Sequence, residues 1–242
     1  MNIILFEGER VFYRSDDRYT HIRKILKKGP GDTFRAGLID GPEGIAVIES
    51  VDEQGLAFSF QERIPPRPLF PLWMIIGFPR PIQLKRLLRD LSGLGVSRIC
   101  LTGTALGEKS YRDSSLVSRG AAREALIEGC MQAGGTVLPI LEKAETVQEA
   151  IALYTDAASR VLLDNVSPAG SLASYSFPSR GACGISLAVG SERGWTDDER
   201  ALFAQNGYSS CSMGKRILRT ETAACAAASI TLAVSGLMER DV

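Results

Sequence analysis

The sequence predicts an α/β chain in two parts, a small β-rich region followed by a larger region built on a parallel sheet. Three observations carry that reading. Short alternating apolar segments separated by turn residues occupy the chain before position 64, and a proline-rich run follows them. Beyond that run, apolar strand-like stretches alternate with stretches of helical period. At 242 residues, 45% hydrophobic and 23% charged, the chain can bury a large core in one large domain or two modest ones.

In the first part the strand-like segments are 33–39, 44–51 and 56–60, separated by the turn residues Asp40-Gly41-Pro42 and Asp52-Glu53-Gln54-Gly55. Short strands at this spacing predict a small barrel or sandwich. Ile64-Pro65-Pro66-Arg67-Pro68-Leu69-Phe70-Pro71 then places four prolines in eight residues. Such a run cannot continue a helix or fill a ladder, so it predicts a stiff extended linker between domains at 1–66 and 72–242. Residues 72–77 read as a buried strand. Ile82, Leu84, Leu87, Leu88 and Leu91 recur at helical spacing, and Ile99-Cys100-Leu101 is a short strand. A helix from about 115 to 132 and a strand over 137–141 follow. Thr146 with Glu149, and Thr196 with Glu199, each have the spacing of a capping box, and Gly207 suits a helix stop. Residues 160–164 and 185–189 are central strands. The Ala-rich stretch 221–238 is helix-prone, with Thr220 as its N-cap.

Composition excludes several classes. Lys plus Arg equals Asp plus Glu at 28 each, which argues against a polybasic tail or an acidic disordered chain. The longest strongly apolar run, Leu72-Trp73-Met74-Ile75-Ile76, is too short for a bilayer span. Glu7 and Glu9 interrupt any signal-peptide core, so a cytoplasmic protein that does not engage a membrane is expected. Cys100, Cys130, Cys183, Cys211 and Cys225 are scattered, and His21 is the single histidine. No Cys/His metal site is expected, and the thiols should be reduced and buried. No serine sits in a nucleophile elbow. No G-x-G-x-x-G follows the first α/β strand. Gly103-Thr104-Ala105-Leu106-Gly107-Glu108-Lys109-Ser110 has the wrong glycine spacing for a phosphate loop, with a glutamate before the lysine, and reads as a surface loop.

Two late segments stand out. Val189-Gly190-Ser191-Glu192-Arg193-Gly194-Trp195 leaves a strand and enters a capped helix. Met213-Gly214-Lys215-Arg216-Ile217-Leu218-Arg219-Thr220-Glu221-Thr222-Ala223 opens the last helix. Loops of this kind are either ordinary strand-to-helix turns or the ligand loops of an open α/β sheet. Lys215, Arg216 and Arg219 favour an anionic ligand. Near the N-terminus Arg10, Arg14, Arg18, Arg23, Lys24, Lys27 and Lys28 interleave with Tyr13, Tyr19 and His21. That run is either an RNA-backbone contact or a solvated charged face.

His21-Ile22-x-x-Ile25-Leu26-Lys27-x-x-Pro30-Gly31-Asp32 resembles the N-terminal H-L-x-x-V-L-R-x-x-x-G-D motif of the RsmE family of bacterial ribosomal RNA methyltransferases, and Leu94-Gly95-Val96 resembles that family's E-L-G-V segment. Gly190-Ser191-Glu192-Arg193-Gly194 is similar to its G-P-E-G-G loop. Met213-Gly214-x-Arg216-Ile217-Leu218-Arg219-Thr220-Glu221-Thr222-Ala223 is similar to its L-G-x-R-I-L-R-T-E-T-A signature. The resemblance implies a PUA-like β-barrel followed by a SPOUT α/β methyltransferase domain with a C-terminal trefoil knot, an exception to unknotted connections. It implies a cytoplasmic homodimer that uses S-adenosyl-L-methionine and no metal to methylate N3 of uridine 1498 in 16S ribosomal RNA. Cofactor contacts would fall on Leu163, Val189, Gly190, Ser191, Glu192, Gly194, Met213, Gly214, Arg216, Ile217 and Leu218. Arg219 would orient RNA and Glu221 would accept the N3 proton, with Glu192 the other possible acceptor. The basic run with His21 would meet the small-subunit RNA. The chain departs from the family pattern at Asp90, Gly93, Met131, Gly135, Ser191 and Arg193. Those departures keep open a methyltransferase for another RNA position, or an RNA-binding scaffold without turnover.

Overall fold

A computed structural model describes residues 2–112, 120–177 and 184–238. The chain divides into two compact units, Met1–Pro68 with Ile127–Leu138, and Leu69–Leu126 with Pro139–Val242. The return of Ile127–Leu138 to the first unit is a feature that a division at the prolines does not contain.

The first unit is a five-stranded sheet in the order β1-β3-β4-β5-β2, with β1 (Ile4–Phe6), β2 (Val11–Tyr13), β3 (Thr33–Leu38), β4 (Glu43–Val51) and β5 (Gly55–Ile64). Only β1 and β3 run parallel. Among the described residues the edge strands β1 and β2 do not pair with each other, so the sheet is a half-barrel. Strand alternation sends Phe34 and Ala36, Ala46 and Ile48, and Leu56 and Phe58 into one core with Phe6, Phe12 and Ile22. β1 and β2 are too short for periodicity to reveal. The basic stretch between β2 and β3 begins as helix α1 (Asp17–Thr20), capped by the Asp16 carboxylate on Arg18 N, and continues as a π turn over His21–Ile25. Ile3, Leu5, Cys130 and Met131 form a second small core of the same unit, with Leu138 packed on it.

The second unit is a seven-stranded, fully parallel sheet in the order β10-β12-β9-β11-β6-β7-β8. Its strands are β6 (Phe70–Gly77), β7 (Val96–Thr102), β8 (Ile140–Ala144), β9 (Ser159–Leu163), β10 (Gly170–Ser171), β11 (Ile185–Val189) and β12 (Ser209–Ser212). Parallel strands covered on both faces read as continuous apolar runs, which is why β6 and β11 were legible. Ile185, Leu187 and Val189 point into one core and Ala188 into the other. The first core is closed by α2 (Pro81–Gly93), the first half of α4 (Ala121–Ala133) and α7 (Thr220–Val234). The second is closed by α5 (Val147–Ala152) and α6 (Asp197–Gln205). The short α3 covers Lys109–Arg112.

Several expectations shift. Phe70 and Pro71 join β6, so the extended linker is shorter than the proline run. Ile82 is 79% exposed although it shares the helical period of its buried neighbours. The strand expected over 137–141 starts at Ile140 instead, because Leu138 packs in the first unit and the Val137 carbonyl accepts from Cys130 Sγ. The helix expected from 115 begins at Ala121, and residues 115–119 lie outside those described. Thr196 and Glu199 form a full capping box. Thr146 caps its helix, but Glu149 accepts from Glu145 N, so the reciprocal half is missing. Gly207, at φ +78°, follows the end of α6 as expected. α7 stops at Val234 rather than 238, and Arg219, not Thr220, stands at its N-cap.

Candidate functional site

Parallel sheets gather ligands at the C-terminal ends of their strands, where strand order reverses. Here β12, β9 and β11 are adjacent, and the loops that leave them, 213–219, 164–169 and 190–196, wall one cavity of about 340 Å³. Leu163 and Val189 supply the strand ends. Gly190, Ser191, Glu192 and Gly194 line it from one loop, and Met213, Gly214, Arg216, Ile217 and Leu218 from the other. The two glycine-bearing segments singled out in the sequence therefore face a common space. Arg219 and Glu221 are not among the lining residues.

Backbone approach explains the glycines. A Cβ on Gly77, at the end of β6, would lie 2.5 Å from Ser191 N, so the first loop rests directly on that strand end. Gly214 has φ +109° and only open space where a side chain would begin, so its backbone faces the cavity uncovered. Among the described residues, none of the N–H groups of residues 214–218 donates to a backbone carbonyl. A loop that leaves its own donors unsatisfied offers them to solvent or to a ligand.

Sequence reasoning missed Asp164, Asn165, Val166, Trp195, Arg200, Cys211, Thr220 and Ala223, which also line the cavity. Asp164 had a signal, a carboxylate ending the apolar run Val161-Leu162-Leu163. Its side chain is 2% exposed and accepts from Arg200 Nε at 3.1 Å, Arg200 Nη2 at 3.3 Å and the backbone N–H groups of Val166 and Ser167. Burial alone would raise its pKa. The Arg200 guanidinium and the two amides outweigh burial and hold the carboxyl below its ordinary value. The pair fixes the loop after β9 to α6. Trp195 Nε1 donates to the Leu163 carbonyl at 3.2 Å and braces the first loop from behind. Glu192 is ion-paired with Arg80 at 3.0 Å, and that carboxylate, followed by Tyr111, raises the Arg80 pKa.

The basic N-terminal run is a different case. Arg10 lies over the rings of Phe6 and Phe60, Arg14 donates to the Asp52 carbonyl at 2.9 Å, and Arg18 pairs with Asp16 and lies over Phe12. Arg23 donates to the Lys28 carbonyl and Lys28 to the Thr33 carbonyl. Lys24 and Lys27 are exposed. His21 lines a separate cavity with Leu26, Lys28, Phe34 and Arg35, and burial lowers its pKa, which favours the uncharged imidazole. Its Nε2 finds no partner among the described residues.

The remaining expectations can be placed. Cys100, Cys130 and Cys211 are buried free thiols and Cys225 is half-buried, while Cys183 lies outside the described residues. Burial pushes Cys100 up to about 12 and Cys130 and Cys225 to about 11, which keeps them protonated. Among the described residues no cluster of three His, Cys, Asp or Glu could hold a metal, and no helix is long and apolar enough to cross a membrane. Of the departures from the family pattern, Ser191 and Arg193 line the cavity. Asp90 is instead paired on α2 with Arg86 and Arg89, Gly93 ends that helix, and Met131 and Gly135 belong to the first unit.

The RNA methyltransferase domain family matches residues 65–232. Over 254 aligned residues the chain is 42% identical to the ribosomal RNA small subunit methyltransferase E of Treponema pallidum, covering 100% of this chain and 94% of that one. It is 30% identical to methyltransferase E 1 of Borreliella burgdorferi over 90% of each chain. The fold is that of the ribosomal RNA small subunit methyltransferase E of Neisseria gonorrhoeae, solved bound to S-adenosyl methionine. That structure superposes with a TM-score of 0.77 at 20% identity over 97% of this chain and 98% of its own. The cavity thus lies within the matched domain, and the chain belongs to the small-subunit ribosomal RNA methyltransferase E (RsmE) family of RNA methyltransferases.

Proposed function

We propose that the chain transfers a methyl group from S-adenosylmethionine to N3 of a uridine in small-subunit ribosomal RNA, at nucleotide 1498 of 16S RNA. The observation that carries the reading is the convergence of both glycine-bearing loops on one cavity. Its volume suits a small-molecule cleft. Leu163, Val189, Met213 and Ala223 offer apolar surface to a nucleoside, and the amides of residues 214–218 offer donors. S-adenosylmethionine supplies an electrophilic sulfonium methyl, so the protein's task is alignment for in-line attack. Uridine N3 carries a proton at neutral pH and must lose it. Glu192 lines the cavity but is engaged by Arg80; Glu221, outside the lining but between the lining residues Thr220 and Ala223 in the first turn of α7, is the acceptor in this reading. Arg219, exposed at the N-cap of the same helix, orients the RNA phosphate or the developing charge on the base.

The same reading takes the C-terminal unit as a SPOUT domain with a trefoil knot and the half-barrel as PUA-like. The strand order supports a knot: β12 lies between β9 and β10, so the link 164–169 must cross β12, where Asp164 N bonds to Cys211 O and Ala169 N to Ser210 O. The same reading takes the protein as a cytoplasmic homodimer; Ile82 and Ile217, 79% and 82% exposed, are large apolar side chains of the C-terminal unit that a partner could cover. Mass mapping of ribosomal RNA from cells with and without the gene tests the target. Loss of N3-methyluridine at nucleotide 1498 alone is expected. Loss at another position would reassign the target, and an unchanged map would favour a scaffold. With RNA and cofactor saturating, Glu221→Gln is expected to slow transfer roughly 100-fold, and an unchanged rate would remove Glu221 as the base.

A further inference from the structure

Thr220 carries a hydroxyl at a helix start, where such a group normally caps. It does not cap here. Arg219 holds the N-cap position without a side-chain cap bond, and Thr220 is the first residue of α7, 3% exposed. Its Oγ1 donates instead to the carbonyl of Gly190, 30 residues away, at 3.1 Å. Gly190 opens the first cavity loop and Thr220 ends the second, and both line the cavity. Elsewhere the first loop is hemmed in by close backbone approach, since a Cβ on Gly190 would meet Gly194 Cα at 3.0 Å and one on Gly77 would meet Ser191 N. It is also held by Trp195 and by the Glu192–Arg80 pair, neither of which reaches the second loop. A β-branched side chain has few χ1 wells, so the hydroxyl is held where it is.

We propose that Thr220 is a positioning residue whose hydroxyl fixes the spacing of the two cavity loops, and with it the affinity for S-adenosylmethionine. The inference rests on the methyltransferase reading above. Replacing the hydroxyl with a methyl of the same shape leaves the Gly190 carbonyl without this donor and lets the loops move apart. The loops bind the donor before transfer, so the effect falls on cofactor binding.

The test is titration calorimetry of the full-length chain with S-adenosylmethionine, alongside steady-state kinetics. Thr220→Val is expected to raise the cofactor Kd and KM about five- to tenfold, with kcat at saturating cofactor within about twofold of the parent. Thr220→Ser restores the donor and should bind within about twofold of the parent. A purely structural role predicts another pattern, a lower Tm and lower kcat with KM unchanged, and that result would overturn the proposal. So would a Thr220→Val protein that binds as tightly as the parent, or a Ser variant as weak as the Val variant. Should Thr220→Val not fold, Thr220→Ala against Thr220→Ser makes the same comparison by Kd. A parent protein that does not bind the cofactor overturns the functional reading itself. A parent that binds, with Thr220→Val unchanged, overturns the Thr220 role alone.

Discussion

The two stretches that the sequence marks as candidate binding regions behave differently once folded. The late loops 190–194 and 213–218 converge on one cavity, and the amides of residues 214–218 have no backbone partner among the described residues. The early basic run instead engages most of its cations with its own fold, Arg10, Arg14, Arg18, Arg23 and Lys28 being held by rings, carbonyls or Asp16 while Arg10 and Arg14 stay exposed. Glycine spacing between a strand and a helix describes backbone geometry, and backbone geometry is local. A charge run describes only side-chain type, and whether a guanidinium faces RNA or its own fold depends on partners far away in sequence. Arg14 and Asp52, 38 residues apart, make the point.

The largest expected effect is on the cavity side. Asp164→Asn removes the charge from a carboxylate whose side chain is 2% exposed and leaves Arg200, among the described residues, with Asp197 as its remaining charged partner. The expected cost is about 2–3 kcal/mol at pH 7 by chemical denaturation. Because the folded carboxyl titrates below its ordinary value of 3.8, the ion pair's contribution is fully present above that value. It is lost as pH falls through the lower folded pKa, so the gap between parent and variant should narrow as the pH is taken below 3.8. A gap that widens on acidification would contradict the assignment.

On the basic side the expected effects are smaller and divide by residue. Arg18→Ala should cost about 1 kcal/mol of stability, since it removes the Asp16 pair and the contact over Phe12. It should barely change the salt dependence of RNA binding. The double change Lys24→Ala with Lys27→Ala should leave stability unchanged and reduce the slope of log K against log salt by about 1.5. Equal salt slopes for the two variants would erase the distinction drawn between these cations.

What could be read in advance follows the same division. β6 and β11 were visible because both faces of a parallel sheet are buried and the runs are apolar throughout. β12, Ser-Ser-Cys-Ser, carries no such signal and is a strand only because β9 and β10 pair with it from either side. The return of Ile127–Leu138 to the first unit was invisible because its apolar residues have the same period whichever core receives them. In the cavity, loop residues at motif spacing were found, whereas Asp164, Trp195 and Arg200 were missed. Those three matter through contacts with other loops and strand ends, such as Trp195 with Leu163 and Arg200 with Asp164. Thr220 was expected as the N-cap and is instead the first helical residue, its hydroxyl bonded to an acceptor in another loop.

Hydrogen exchange of the whole chain, with and without S-adenosylmethionine, tests most directly whether both late loops hold one ligand. Slowed exchange is expected at residues 190–194 and at 214–218 together, with residues 21–28 unchanged. Protection of only one loop, or of neither, would contradict the shared site.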